Sequence, residues 1–352
     1  MMRRIRGFFL LLLPMLLGSG AAQGQMLPGV DDNESMPWFR EHPDRGKYLL
    51  ILTGAAATPQ VRERFRDWSV ALHDSFIQEY GYDRDRVFLL LDDGENIGQA
   101  GDRVHGSSRL EDMYGTLEML QGRMQPGDQL TLVMIGHGSS RFGEAKFNNT
   151  GPDVTGPELA EILDGFAEQD LVIFNTTSAG FEFAQALSAE GRVVVSATRS
   201  AAERYDPVFT RFLIEGLQGK SADLDRNGRV SVLELFNYAR RNVADWYDDQ
   251  GRLSTETAVL DDTGDGQFVR EPDPMQSNGL LAEIAYLDVL QADDRDLGPE
   301  ARDLRAQMQD LERSIILLRG QRDNYLENDY WNRLESLLVE LARTTRRYDE
   351  LL

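Results

Sequence analysis

The chain has no cysteine among its 352 residues, so no thiol can serve as a nucleophile. Two sets of residues could carry nucleophilic chemistry. The apolar run LTLVMI, residues 130–135, ends in Gly136-His137-Gly138. The apolar run LVIF, residues 171–174, ends in Asn175-Thr176-Thr177-Ser178-Ala179-Gly180. A histidine beside a hydroxyl is the usual pair for general-base activation of an alcohol. The same small residues also suit a strand-to-helix turn, with Thr177 or Ser178 supplying an N-cap oxygen. Asn175-Thr176-Thr177 fits a glycosylation sequon, but it follows four apolar residues and is expected to be buried. His42, His73 and His105 share no ligand spacing with His137, which argues against a zinc site.

A second chemistry lies in DLDRNGRVSVLE, residues 223–234, which satisfies the calcium-loop pattern D-x-[DN]-x-[DN]-G-x5-E. A hard cation collects oxygens from alternate residues of one tight loop. Asp223, Asp225 and Asn227 would offer side-chain oxygens, Arg229 its carbonyl, Ser231 a water-mediated contact and Glu234 a bidentate carboxylate, with Gly228 at the turn. Ser231 and Glu234 also read as a capping box for a helix over residues 232–246. A cap leaves Asp223 and Asp225 unexplained. The pattern therefore predicts a structural Ca2+, with affinity in the extracellular range of about 10⁻⁴–10⁻³ M. In LDDTGDGQF, residues 260–268, Asp261, Thr263 and Asp265 give a possible second half-site, but Pro272 stands where the closing glutamate belongs.

These residues need a frame. Strand-like runs at residues 48–52, 87–91, 130–135, 171–174 and 193–195 alternate with helical patterns at 61–80, 110–124, 157–166, 181–187 and 207–217. Such alternation predicts an α/β domain, a mainly parallel sheet with helices on both faces. Ligands of open parallel sheets collect at the strands' carboxyl ends. The His137 and Thr177 loops should therefore share one edge. Further on, Leu304, Met308, Leu311, Ile315 and Leu318, then Tyr330, Leu334, Leu337, Leu341, Tyr348 and Leu351, form a heptad seam on two helices, interrupted at Gly320 and skipping Thr344. The seam could close as a hairpin, pack on the α/β domain, or pair with another chain.

A strand ending in His-Gly, followed by a strand ending in a small-residue turn, resembles the caspase-like cysteine peptidases, particularly the legumain-like branch. His137-Gly138 matches that family's catalytic histidine motif. Against its Asn-Ala-Cys-x-Ser-Gly segment, Asn175 takes the asparagine, Thr176 the alanine, Ser178 the variable position, Ala179 the serine and Gly180 the glycine. Thr177 falls on the nucleophilic cysteine. The resemblance covers roughly residues 47–266 and implies a caspase-like fold, with Gly138 as an oxyanion-type backbone donor and Ser196, Thr198 and Arg199 lining the substrate groove. A threonine cannot simply replace the thiol. It needs an aligned base as it attacks, and its β-branched side chain is hard to aim. The expected function is binding or regulation by a degenerate peptidase homologue, or a calcium-braced scaffold. The alternative is an active hydrolase using His137 with Thr177 or Ser178.

The net charge of −22 argues against nucleic acid or anionic lipid as partner. Residues 1–22 read as a secretory signal, with Arg3, Arg4 and Arg6 before an apolar core at residues 8–17 that is too short to span a bilayer. Export to a periplasm or beyond is expected, with no membrane span after cleavage. The expected organisation is signal 1–22, polar leader 23–46, α/β domain 47–270 including the loop 223–234, connector 271–296 and helical hairpin or coiled coil 297–352. The expected partner is a peptide or protein, with possible self-association through the C-terminal helices.

Overall fold

In a computed structural model, residues 36–351 are described apart from 43, 96, 142–143, 277 and 291–297. The signal segment 1–22 and the first part of the leader lie outside the described residues. The elements run in order β1 (Lys47–Thr53), α1 (Pro59–Gln78), β2 (Val87–Leu91), β3 (Val104–Gly106), α2 (Leu110–Arg123), β4 (Gln129–Ile135), β5 (Gly138–Arg141), β6 (Glu144–Phe147), β7 (Val154–Thr155), α3 (Gly156–Leu163), β8 (Asp170–Asn175), α4 (Phe181–Ala186), β9 (Arg192–Ser196), α5 (Phe209–Leu217), α6 (Val232–Asp249), β10 (Val259–Asp261), α7 (Leu280–Ile284), α8 (Pro299–Gly320) and α9 (Glu327–Asp349). The local signals explain several starts. Thr58 caps α1 ahead of Pro59, and complete capping boxes open α3 (Thr155 with Glu158) and α6 (Ser231 with Glu234).

The main sheet has the order β10-β9-β8-β4-β1-β2-β3. All neighbours pair in parallel except β10, which runs antiparallel on β9. Alternate residues of β1 point to opposite faces. Leu49 and Ile51 join a core with α1, α5, α6 and α7, while Tyr48, Leu50 and Leu52 join a second core with α2, α3 and α4. The result is a three-layer α/β architecture with a mainly parallel sheet. A small antiparallel sheet, β5-β6-β7, grows directly out of the β4 end.

Alternation in the sequence located the five long central strands. It missed β3, β10 and the β5–β7 sheet, whose two- to four-residue strands are too short to carry a period.

Helices α8 and α9 form an antiparallel hairpin. Arg347 near the end of α9 lies 4.0 Å from Glu300 at the start of α8. The described residues belong to one compact unit, and α8 is built into it. Leu317 reaches the core on the α1/α5 side of the sheet. Arg313 donates to the carbonyls of Met36 (3.0 Å), Trp38 (2.8 Å) and Phe39 (2.8 Å). The skipped heptad position, Thr344, is buried with the seam.

Candidate functional site

The chain leaves β1 for β2 on one side and later returns to β4 on the other, so the carboxyl ends diverge between β1 and β4. His137 follows β4, and the turn 175–180 follows β8. Strands β4 and β8 are adjacent, and pairing continues past their ends as a parallel bridge between His137 and Ser178. Gly138 N donates to Ser178 O at 2.9 Å. A side chain at 138 has no room, since a Cβ there would lie 2.6 Å from that carbonyl. The glycine thus lets the two loops touch. Its N–H is directed at the neighbouring loop and not at an open oxyanion position.

The hydroxyls face inward. Thr177, Thr176 and Ser178 are each about 2–3 % exposed. Thr177 Oγ1 donates to Asn175 Oδ1 at 2.7 Å, and the Thr177 N–H reaches the same oxygen at 3.2 Å. Thr176 Oγ1 donates to Met134 O at 2.7 Å. None of them caps α4, whose N-cap is Gly180 with no side-chain cap bond. The capping expectation is therefore corrected: the hydroxyls tie the turn to itself and to β4. Ala179 takes φ 48°, in the left-handed region that costs a non-glycine residue about 1–2 kcal/mol. Its N–H donates to Glu203 O at 2.7 Å, which holds the conformation in place. Asn175 is fully buried, with Nδ2 donating to Gly180 O at 2.9 Å, as its sequence context anticipated.

What covers the turn is the loop after β9, residues 197–206. Ala197 N donates to Asn175 O, and Gly180 N donates to Thr198 Oγ1 at 3.0 Å. Ser196 Oγ donates to Thr198 O at 2.7 Å. Ser196 and Thr198 are fully buried, so they support the turn from beneath and do not line an open groove. Arg199 differs: its side chain is exposed beside Glu203, and Tyr205 of the same loop is 70 % exposed.

The loop also delivers a residue that motif reasoning missed. Asp206 Oδ1 lies 3.1 Å from His137 Nδ1, and its other oxygen pairs with Arg64 of α1. The hydrogen bond from His137 holds the Asp206 carboxyl below its ordinary range, with Arg64 adding to the effect. Phe65 packs against the imidazole, ring centroids 5.4 Å apart. Nε2 is buried and has no hydrogen-bond partner among the described residues. A carboxylate on Nδ1 with Nε2 unengaged is the arrangement that orients a general base. No spacing in the sequence pointed to Asp206 or Arg64; only the fold joins three distant segments here.

The acidic loop lies elsewhere. Arg226 and Gly228 take positive φ, 64° and 83°, closing the turn. One carboxylate oxygen from each of Asp223, Asp225 and Glu234 lies within 4.8 Å of the others. That spacing fits a shared calcium, because oxygens about 2.3–2.6 Å from one ion lie at most about 5 Å apart. Glu234 serves two ends of the loop. Oε1 accepts from Leu224 N and Asp225 N, while Oε2 accepts from Ser231 N and Oγ in the capping box. Asn227 Oδ1 accepts from Arg229 N at 2.7 Å. Burial raises the Asp225 and Glu234 carboxyls, and neighbouring carboxylates push the same way. Glu283 of α7 is raised to about 7 by burial, with Glu234 and Asp225 contributing. The Arg229 side chain turns inward, 2.7 Å from Asp288 and 3.1 Å from Glu41.

The suggested half-site is built differently. Asp261 is almost fully buried, and its oxygens accept from Thr263 N and Oγ1, Ser188 Oγ and Gly266 N. Asp265 accepts from Gln267 N at 2.8 Å. These are aspartate turns that serve backbone amides.

No family model matches the chain, and no curated protein matches it. Among solved structures it is similar to the Drosophila initiator caspase Dronc, with a TM-score of 0.42 and 13% identity over 71% of this chain and 95% of that one. It is also similar to a protein from Geobacter sulfurreducens, with a TM-score of 0.40 and 12% identity over 65% of this chain and 95% of that one. No helix among the described residues is long and apolar enough to cross a membrane.

Proposed function

We propose that this chain is an exported, catalytically degenerate homologue of the caspase-like peptidases, legumain-like in its motifs. In this reading it binds a peptide or protein at the carboxyl edge of its sheet and is braced by calcium. The observation that carries the reading is the Thr177 hydroxyl, buried and donated to Asn175 Oδ1 instead of to His137. An alcohol without an aligned base is a poor nucleophile. The exposed Arg199 and Tyr205, on the same loop as Asp206, offer a cation and an aromatic face to a ligand.

In the same reading, Asp223, Asp225, Asn227 and Glu234 hold Ca2+, with the Arg229 carbonyl a further donor. The ion supplies positive charge where three carboxylates converge and ties the start of α6 to the preceding loop. Export rests on residues 1–22.

A second reading, an active hydrolase, is favoured by one observation: His137 is already oriented by Asp206, with Nε2 unengaged. The two readings separate in one experiment. The protein, with calcium present, is incubated with a diverse peptide pool beside the His137→Ala variant, and products are scored by mass spectrometry. The degenerate reading expects no cleavage by either protein and retention of a peptide subset by both. Defined cuts by the wild type that vanish in the variant establish the hydrolase instead.

A further inference from the structure

A cavity of about 290 Å³ opens between α6, α7, the end of α8 and residues 272–275. It shares no lining residue with the His137–Thr177 turn. Leu233, Met275 and Ile316 give it apolar walls, and a Cβ on Gly320 would lie 2.8 Å from Leu280 and 3.0 Å from Pro274 O, so α8 is seated directly on its neighbours. Three charged side chains also line it, Asp273, Glu283 and Arg319, with Asn237 beside them. Asp273 is engaged: its two oxygens accept from Met275 N and Gln276 Nε2, each at 2.9 Å. The rest are not. Among the described residues, no donor reaches the Glu283 carboxylate, no carboxylate pairs with the exposed Arg319, and the Asn237 amide has no hydrogen bond. Glu283 and Arg319 are nevertheless neighbours. Burial raises the Glu283 carboxyl, Glu234 and Asp225 add to the rise, and Arg319 acts against it. Nor is Glu283 used by the acidic loop, since it lies outside the converging group of Asp223, Asp225 and Glu234.

We infer that this cavity binds a free α-amino acid with an aliphatic side chain, its ammonium on Glu283, its carboxylate on Arg319 and Asn237, and its side chain against Leu233, Met275 and Ile316. Charge selects this occupant. A half-buried carboxylate with no donor is costly, so the interior lacks a cation. An unpaired guanidinium presents a fork of donors that matches a carboxylate, so the mouth lacks an anion. Only a ligand carrying both charges a short distance apart answers the two needs at once. A peptide separates its two termini and would meet one of them. Size agrees with charge. The volume holds on the order of ten water-sized groups, which suits a molecule like leucine or methionine and is small for a larger metabolite. A few polar groups that fix orientation within apolar walls are the usual make-up of a small-molecule site.

The test is calorimetric titration of the full chain, with calcium present, by leucine and by methionine up to millimolar concentration. Saturable binding of one molecule per chain is expected. N-acetyl-leucine lacks the ammonium and leucinamide lacks the carboxylate, so each should bind about tenfold more weakly or worse, the loss expected for one set of charged hydrogen bonds. Glycine, with no side chain to fill the apolar walls, should also bind more weakly than leucine. Arg319→Met, at an exposed position, should show the same tenfold loss for leucine with an unchanged melting temperature in the absence of ligand. Glu283→Gln should match it; if that variant fails to fold, Arg319→Met decides. A wild type that binds neither amino acid, the result expected if Arg319 closes on Glu283 in solution, overturns the proposal. So does leucinamide binding as tightly as leucine, which marks a site for amines or peptide N-termini. Leucine binding that Arg319→Met leaves undiminished places the ligand elsewhere and overturns it as well.

Discussion

His137 Nδ1 lies 3.1 Å from Asp206 Oδ1, joining the end of β4 to the loop that covers the Thr177 turn. The bond latches that loop. Since it holds the Asp206 carboxyl below its ordinary value, its contribution is present above the unfolded-state value of about 3.9 and is lost as pH falls through the folded one. Asp206→Asn should cost about 1 kcal/mol, a modest figure because the carboxylate is part-exposed. The sharper readout is hydrogen exchange at the Ala179 and Ala197 amides, which should quicken in this variant; unchanged exchange rules out the latch.

Thr177→Cys restores the thiol that the family motif places here. The position is about 2 % exposed, so the thiol should resist alkylation in the folded protein and react fully once the protein is unfolded. No other cysteine interferes with the measurement. Thr177→Val removes the donor to Asn175 Oδ1 and should lower stability by about 1 kcal/mol in denaturant titration.

Burial raises the Glu256 carboxyl from 4.5 to about 7. It accepts from Val208 N and Phe209 N at the start of α5 and from the Tyr247 hydroxyl. A folded state that holds this proton more tightly is favoured at low pH. The contribution is fully present below about pH 4.5 and disappears as pH rises through about 7. Urea titrations across that window should show the wild type losing up to about 1.4 kcal/mol per pH unit from this group, and Glu256→Gln should remove that part of the slope.

Calcium at about ten times its dissociation constant should stabilise the protein by about 1.4 kcal/mol, visible as a rise of a few degrees in melting temperature. Chelation should reverse it. Asp225→Asn removes a proposed ligand that takes no part in the Ser231–Glu234 cap, so it should abolish the calcium response while α6 stays intact by circular dichroism. A response that survives this variant places the ion elsewhere.

Arg313→Met leaves the carbonyls of Met36, Trp38 and Phe39 without their donor. About 2 kcal/mol of stability should go with them. Limited proteolysis should then cut near residues 36–46 before the rest of the domain; equal resistance in both proteins argues against this anchor.

The central strands were legible because each is a run of β-branched and aliphatic residues with both faces covered, a pattern that survives without knowledge of its neighbours. That the His137 and Thr177 loops share one edge followed from strand direction, while their contact depends on β4 and β8 being neighbours in the sheet. Ser196 and Thr198 read as groove residues only through the family resemblance, since small polar side chains after a strand do not themselves show which way they face. Packing against the turn decided that they lie beneath it. Asp206 and Arg64 gave no signal, since an aspartate in a loop and an arginine on a helix are the commonest of surface residues until the chain folds them onto one imidazole.

By itself the sequence determined the α/β alternation, the absence of any thiol, the order of the two carboxyl-edge motifs and the spacing of the acidic loop, all properties of residues close together in the chain. The tertiary structure alone decided what those residues face. It turned the Thr177 hydroxyl onto Asn175, buried it under the loop after β9, and gave His137 its aspartate from a segment 69 positions further on. Hydrogen-bond partners at that separation depend on how layers stack, and stacking is a property of the whole core that no short window of sequence contains.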